Sequence, residues 1–545
     1  MLDERDMRFP MGTSLLEYST ELFEILAHFQ EPYREAMCTD SHGGIKKALQ
    51  FKMENSVKKF NETRKKEIEM NNVFLPLKLS NHNCQCFYLK GVNFRKAILD
   101  GSDFSNANLD GANLTMASAK EAKFIKASIK QTDFSEGHFE GSTFTEVQGE
   151  GAIFNDANCN RTHFNRAFLS GSFFVQAIVN NAIFWKANLR DVNFSSAHCN
   201  NSDFSDSLGE KSKFWKSHCK DANFGQSKFD EVDFSDAHCE GSSFWMASLK
   251  GADFSDSHCT EADFSGADCG ETDFTNAVLR NAKMDKKTNL YQCWFYGAEI
   301  EGSKLKFAIK SFFKSDKTLL PFPEERDAAE ATTEEEAKEK LEESRTIYLD
   351  FKNYLTVQGM YSQSSEFFIR EREMNRAMIK YRIQPWKGCE FGDELDENGN
   401  TKPQLDPATG LALPAWKVTW ICLLHFLDWL KENIEDGTAF IFYSILYHFG
   451  RYGEKPHYIL LWSSVMIAIF GILYGLGKGV DGVGDDGWLN ASRNYLYFSI
   501  VTFTTLGYGD LKPLGWWRIV AGLEAVFGAF SLSYFVVSWM RKVTR

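Results

Sequence analysis

Phenylalanine returns every ten residues through the middle of this chain. It stands at Phe94, Phe104, Phe124, Phe134, Phe144, Phe154 and Phe164 and onward to Phe274, with Leu114 and Met284 in the same slot. Halfway between lie Leu99, Leu109, Ile129, Leu169, Leu189, Cys199, Cys219, Phe229, Cys239 and Leu249, so a mostly apolar residue recurs every five. Two positions before each sits a small one, such as Ala97, Ala107, Ala112, Ala152, Ser202, Ala222 or Ala262. Neither the 3.6-residue period of a helix nor the 2.0 of a strand generates a five. The pair His-Cys adds a longer period, at His198-Cys199, His218-Cys219, His238-Cys239 and His258-Cys259. The simplest geometry is a square coil that returns above itself after four five-residue sides. The large and the small residue of each side point inward and the other three outward. Coils stacked at β-sheet spacing rise about 4.8 Å each.

These units resemble the pentapeptide-repeat family, whose fold is a right-handed quadrilateral β-helix. The match covers roughly Phe94 to Leu305, about ten coils and on the order of 50 Å of tower, and the domain is bounded at 87–306. The register slips by one near Lys286-Lys287, where a bulge is expected. Gly149 and Gly209 occupy inward slots and predict thin spots in the core. His198, His218, His238 and His258 point outward and stack one coil apart. Metal binding and proton sensing are the functional readings of that ladder, and a surface ladder on a repeat is the plainer one. Trp185, Trp215 and Trp245 follow core phenylalanines and face out, available to a partner. Some pentapeptide β-helices mimic DNA through acidic surfaces. Here the tower is only mildly acidic, about −9 from Phe94 to Met284, with Lys and Arg interspersed, which weakens that reading.

Composition narrows the rest. The net charge of −13 argues against a general nucleic-acid or anionic-lipid binder, so no nucleic acid is expected as a partner. Charged residues at 25% exclude wholesale disorder, and 43% hydrophobic residues exclude a chain lying mostly in lipid. Met1 to Pro10 carries no apolar stretch of a secretory signal. The 12 cysteines lack metal-type pairing and read as reduced core residues. Residues 1–86 form a helical region or cap with a basic stretch at Lys58, Lys59, Arg64, Lys65 and Lys66. An acidic linker, 307–343, follows the tower and carries about −7 from Glu324 to Glu343. A helical linker domain spans 344–450. It begins with a hairpin broken at Gly359, with Tyr348, Phe351, Tyr354, Leu355, Phe367 and Phe368 as its core. It continues through a turn-rich insert, 391–414. Trp416–Leu430 and Ala439–Phe449 read as two interfacial helices, and a four-span topology is their alternative.

Residues 451–545 carry two membrane-length stretches, 457–477 and 517–540. Arg451 and Lys455 precede the first, and Arg541, Lys542 and Arg545 follow the second. The connecting loop holds Asp481, Asp485 and Asp486. The positive-inside rule then puts both termini in the cytoplasm of a cell-membrane protein and the tower inside the cell. Between the spans lies Thr504-Thr505-Leu506-Gly507-Tyr508-Gly509-Asp510. This resembles the potassium-channel signature TxGYGD, with Leu506 where Val or Ile is usual. A dehydrated K⁺ needs oxygens in place of its water shell, and backbone carbonyls of Thr505, Leu506, Gly507, Tyr508 and Gly509 from four chains would supply them. Gly507 and Gly509 permit the positive φ that turns carbonyls toward the axis. The segment 492–503 suits a pore helix whose C-terminal end faces the cation. Asp510 belongs at the outer mouth, and the resemblance places an acidic partner on the pore helix where Val501 stands here. Glu524 is a filter-support candidate, with Tyr495, Thr502 or Arg518 as partners. Gly528 is a gating-hinge candidate, with close helix packing as its alternative.

The resemblance implies a multidomain membrane protein: a cytosolic right-handed quadrilateral β-helix, a helical linker and an α-helical two-span pore domain. Function then requires a homotetramer in a lipid bilayer, with K⁺ as the permeant ion and no cofactor. The β-helix would regulate gating or assembly through an unidentified cytosolic ligand or protein. A weakly selective cation channel and a membrane-tethered scaffold are the rival readings. No nucleophile elbow, P-loop or HExxH motif points to an enzyme.

Overall fold

The computed structural model describes residues 24, 54–65, 77–314, 319–382, 415–483, 488–507 and 509–544. Most of the N-terminal 86 residues, the turn-rich insert 391–414 and Tyr508 lie outside them. The chain divides into two compact units, which meet in sequence at Pro323 and Glu324.

The first unit is a four-sided β-helix. Parallel bridges pair each side with the side 20 residues on, from Lys78↔Ile98 to Asp263↔Lys283. The side Asp103 to Ala107 shows why five residues suffice. Asp103 N–H donates to His82 O of the coil before, at 2.9 Å. Phe104 and Asn106 donate to Lys123 O and Ile125 O of the coil after, at 2.7 and 2.9 Å. Ala107 closes the corner on Phe104 O at 3.0 Å, and Ser105 N–H reaches the Asp103 carboxylate at 2.9 Å. Every amide of this five-residue side therefore has an acceptor, as a buried backbone requires. The fifth depends on an Asx side chain just before the inward residue, and Asn93, Asn113, Asp133 and Asp263 serve the same way.

The phenylalanines form two ladders. Phe164, Phe184, Phe204 and Phe224 stack at 4.8 Å with interplanar angles of 2–4°. Phe154, Phe174 and Phe194 stack likewise, and the two ladders meet edge to face, as at Phe154 and Phe164 (5.6 Å, 87°). A ten-residue spacing puts successive phenylalanines on opposite sides of the square. The stacked rings then pack with their neighbours in the edge-to-face geometry aromatic pairs favour.

Several expectations are corrected here. Bridging begins at Lys78, not at 87. The first coil hides its register because Leu77 and Phe87 fill slots that later hold Ala or Ser. Gly149 and Gly209 are not thin spots: a Cβ on Gly209 would lie 2.1 Å from the Phe229 ring, and one on Gly149 would lie 2.9 Å from Leu169. Large neighbours fill the space these glycines vacate. Eight described cysteines are free and buried, but Cys86 is disulfide-bonded. Cys86 departs from the rest because it sits at a corner with φ +60°, outside the inward register that shelters the others. The register slip is present, with pairing lengthened to Asp268↔Asn289. There Asp285 receives amides from Gly266, Lys287 and Thr288 at 3.0, 2.8 and 3.1 Å. Burial pushes its carboxyl up, but those amides and the Thr288 hydroxyl hold it below its ordinary range.

A helix over residues 54–65, α1, packs on the open end of the coil. Phe60 meets Phe94 edge-on, and Arg64 reaches Arg95 O at 2.7 Å. Arg64, in the basic stretch of the cap, is buried, and loss of solvent lowers its guanidinium to about 10. The outward histidines stack as a ladder, with His198, His218, His238 and His258 rings 4.8–4.9 Å apart.

The second unit is helical. Helix α2 (Pro323–Glu330) is followed by α3 (Glu334–Val357), whose N-terminus Thr333 caps through Glu336 N–H. Half of the segment expected as an acidic linker is therefore helix. It turns at Gly359, φ +72°, into α4 (Tyr361–Arg382), and Phe351 stacks on Phe367 at 5.4 Å. Phe368 is only half-buried, beneath Lys352 and Arg372. In place of two short interfacial helices there is one, α5 (Ala415–Gly450), whose 36 residues run through the polar interruption at 428–438. Then come α6 (Pro456–Gly477), β1 (Val480–Asp481), α7 (Trp488–Phe503), β2 (Lys512–Pro513) and α8 (Trp517–Thr544).

Two measurements check this account. Gly209→Ala drives a methyl into the Phe229 ring and destabilises the β-helix by about 1–3 kcal/mol. Adding Phe229→Leu recovers part of that loss in denaturant unfolding followed by circular dichroism. Partial burial, then the neighbouring His198 and His238, lower the His218 pKa. The unfolded chain therefore takes up this proton first as pH falls through about 6.5, and the β-helix loses stability on acidification. His218→Gln flattens that loss in unfolding temperatures recorded between pH 7.5 and 5.5.

Candidate functional site

Helices α6 and α8 are long and apolar enough to cross a membrane. Their outer faces present Leu460, Leu461, Val465, Ile469 and Ile472, and Ile519, Leu523, Val526, Val536 and Val537, all exposed. Water does not stably host apolar bands of that length, and a bilayer does.

Between them α7 descends and stops at Phe503. Its last turn is closed by Thr505 N–H on Thr502 O and Leu506 N–H on Val501 O, both at 3.0 Å. The chain then reverses through left-handed residues, Thr505 (φ +58°), Gly507 (+57°) and Gly509 (+76°). A Cβ at Gly507 or Gly509 would meet nothing within 4 Å, so backbone conformation, not crowding, calls for glycine there. The left-handed Thr505 was not anticipated. The carbonyl end of α7 points its partial negative charge into this loop. Leu506 stays 60% exposed on the single chain. Asp510 follows the loop and is exposed, while Val501 is buried where an acidic partner was sought. On the far side of the loop a two-residue ladder, Val480↔Pro513 and Asp481↔Lys512, ties the strand after α6 to the strand before α8.

Glu524 braces the site, with partners other than those expected. It is fully buried in α8, where its carboxyl accepts from Tyr474 Oη of α6 at 2.7 Å and contacts Ser499 Oγ of α7. Ser499 also bonds Ile467 O at 2.8 Å, so one carboxyl joins all three helices. Tyr495, Thr502 and Arg518 do not fill this role: Arg518 instead reaches Pro513 O at 3.4 Å. The signal for the true partner was a tyrosine late in an apolar span, since a buried phenol hydroxyl needs an acceptor.

Gly528 lies where α8 crosses the end of α7. A Cβ there would sit 1.8 Å from Phe503 O. Close packing accounts for this glycine, and α8 runs through it unbroken from Trp517 to Thr544. Gly471 plays the same part between α6 and α7, with Leu496 Cα 3.3 Å from its would-be Cβ.

At its other end α6 is fastened to the hairpin. Lys455 pairs with Glu366 at 2.8 Å, Ser365 donates to Glu454 at 2.6 Å, and Arg451 approaches Glu373 at 3.5 Å. Arg376 and Arg451 each lie 4.5 Å from the Tyr447 ring. The outward His ladder and the tryptophans are in the first unit. Trp185 and Trp215 donate to Asp206 and Asp236 at 3.0 and 3.2 Å, while Trp215 and Trp245 remain exposed.

A family model described as ion channel matches residues 459–545, and pentapeptide repeats match in eight copies over 88–124, 179–208, 217–256 and 257–302. The chain joins a pentapeptide-repeat domain to an ion-channel-type region with two membrane-spanning helices. No curated protein matches it. Among solved structures, it is similar to HetL, a pentapeptide repeat protein involved in heterocyst differentiation regulation from the cyanobacterium Nostoc. Identity there is 20%, over 42% of this chain and 88% of that one, with a TM-score of 0.23. A pentapeptide repeat protein of the Arabidopsis thaliana thylakoid lumen is 30% identical over 16% of this chain and 65% of that one, with a TM-score of 0.15. QnrB1, a plasmid-mediated fluoroquinolone resistance protein, is 16% identical over 38% and 91%, with a TM-score of 0.19.

The brace predicts a graded series. Glu524→Gln keeps an acceptor for Tyr474 and a partner for Ser499, and retains ion flux. Glu524→Leu strands the buried Tyr474 hydroxyl at about 1–3 kcal/mol and leaves Ser499 only Ile467 O. It abolishes flux and lowers the unfolding temperature of the membrane unit, both measured on purified protein.

Proposed function

We propose that this protein is a homotetrameric, potassium-selective channel of the cell membrane, with its termini and β-helix in the cytoplasm and gating driven from the β-helix side. The observation that carries this reading is Thr504 to Asp510, a TTLGYGD segment between two spans at the carbonyl end of a helix, with its two glycines at positive φ. Its mechanism follows from ion hydration. K⁺ enters a narrow loop only if oxygens replace its water, and one chain offers one quarter of each ring. Four copies around an axis close the rings of carbonyls, with the Thr505 hydroxyl as the lowest. The exposure of Leu506 on the isolated chain fits a surface reserved for those copies.

Gating would enter through α4. The fastenings from Glu366, Ser365 and Glu373 to the start of α6 support such a route, since displacement of the hairpin pulls on the first span. The positive residues Arg451, Lys455, Arg541 and Lys542 flanking the spans favour cytoplasmic termini.

The test is ion flux from liposomes holding the purified protein under a K⁺ gradient. Wild type passes K⁺ and excludes Na⁺ by roughly 100-fold or more, a difference of about 2.7 kcal/mol. Gly507→Asp passes neither. Equal K⁺ and Na⁺ flux would leave a weakly selective cation channel, the outcome that Leu506 makes specific. A monomeric mass with no flux would overturn the channel reading in favour of a tethered scaffold.

A further inference from the structure

We infer that the β-helix carries a site for one borderline divalent transition-metal ion, of the Zn²⁺, Co²⁺, Ni²⁺ class, made by His238, Glu240 and His258. Among the described residues these three form a group whose donor atoms all lie within 4.8 Å of one another. His238 Nδ1 is 3.2 Å from Glu240 Oε1, and the His238 and His258 rings are stacked 4.9 Å apart.

The fold makes this arrangement from its repeat. His238 and Glu240 flank the inward Cys239, so both face out from one side of one coil. His258 is bridged directly to His238, one coil on. Backbone pairing holds the two histidine Cα atoms at sheet spacing, and side-chain rotation about χ1 and χ2 brings their nitrogens to one ion. Two imidazoles and one carboxylate match the His₂Glu set that binds zinc, with a fourth, tetrahedral position left to water. Nitrogen donors select against Mg²⁺ and Ca²⁺. The Cys199, Cys219, Cys239 and Cys259 thiols take no part, because they are fully buried on the other side of the wall.

The same face supplies its own comparisons. His198 and His218 stack in the same way, at 4.8 Å, but the residues two positions on are Asn200 and Lys220, so that pair lacks a carboxylate and has an ammonium instead. His138 has its carboxylate, Glu140, at 3.9 Å, but Asn158 occupies the next coil where a second imidazole would be needed. His218 also stacks on His238, at 4.9 Å, but among the described residues it is His258 whose donor atoms lie together with those of His238 and Glu240 within 4.8 Å. A bound ion there staples two successive coils together. The site is independent of the pore, so it stands whether or not the channel reading does.

The experiment uses the purified full-length protein, freed of metal by a chelator and titrated with Co²⁺ at pH 7.5, with visible d–d absorption as the readout. One equivalent of Co²⁺ per chain develops the intense bands of a tetrahedral site, and Zn²⁺ displaces them. His258→Asn and Glu240→Gln each weaken binding by at least ~10-fold, the lower end of what even an outer-shell change costs a metal site. His198→Asn leaves it unchanged. All three side chains face outward, and circular dichroism confirms that each variant keeps its β-helix. Absence of saturable tetrahedral absorption would overturn the proposal. So would an equal loss in His198→Asn, which marks loose binding along the whole ladder, or an undiminished signal in Glu240→Gln.

Discussion

The first unit depends on one constraint: the backbone amides of each five-residue side must find acceptors without a helix or an extended strand. Four find it in the coils above and below or in the corner, and the fifth takes a carboxylate or amide side chain immediately before the inward residue where the sequence supplies one, as Asp103 serves Ser105. The Asx slot is not universal, since Ile98, Ile153, Phe168 and Leu208 stand there on other sides; pairing between the coils is common to them all. It also fixes the spacing of everything outside. Once coils are locked 20 residues apart, any outward residue type repeated at that interval becomes a ladder, whether of histidines or of ion pairs such as Arg190 with Glu210. Exposed pairs of that kind contribute little to stability, and the interior phenylalanine stacks carry far more.

The membrane unit solves a different problem. At the described glycines of its loop, Gly507 and Gly509, a would-be side chain touches nothing, and Leu506 is exposed. The loop is flanked by the short β1–β2 ladder on one side and has Glu524 behind the helix that leads into it. A buried carboxyl is costly in an apolar setting unless its oxygens are bonded, and here Tyr474 and Ser499 do so from two other helices. The glycines 471 and 528 allow those helices to approach closely enough for the contacts to form. The brace and the glycines are one device, since loss of close approach would take the partners of Glu524 out of reach.

Much of this was legible in the residues, for definable reasons. A five-residue period has one simple geometric solution, so the β-helix, the outward histidines and the slip at Lys286-Lys287 could all be read. Segments bound by composition alone were read less well. The first coil was missed because Leu77 and Phe87 stand in small-residue slots, and Gly209 was read as a gap because a single sequence does not show the Phe229 ring turning into it. The polar interruption in α5 reads as a break, yet the helix continues, because local propensity is a weak prior against a long continuous hydrogen-bond ladder. In the pore, the glycines and Glu524 were recognisable as special. The partners of Glu524 were not, because they come from elements 25 and 50 residues away whose rotation about their axes no periodicity encodes.

The contacts between α4 and the start of α6 show what such an arrangement can transmit. Each is a partly exposed polar contact, and a single exposed ion pair is worth about 0–1 kcal/mol. Alone, none could hold a span in one of two positions. Several acting on the same helix end add to a few kcal/mol if they break together, and that is the size of the gap separating a minor from a major conformer. In the tetramer proposed above the same contacts would repeat in every subunit, and a small displacement of each hairpin would be multiplied at the axis. Weak contacts would suit the proposed gating better than a packed apolar interface, because a switch must release what it holds.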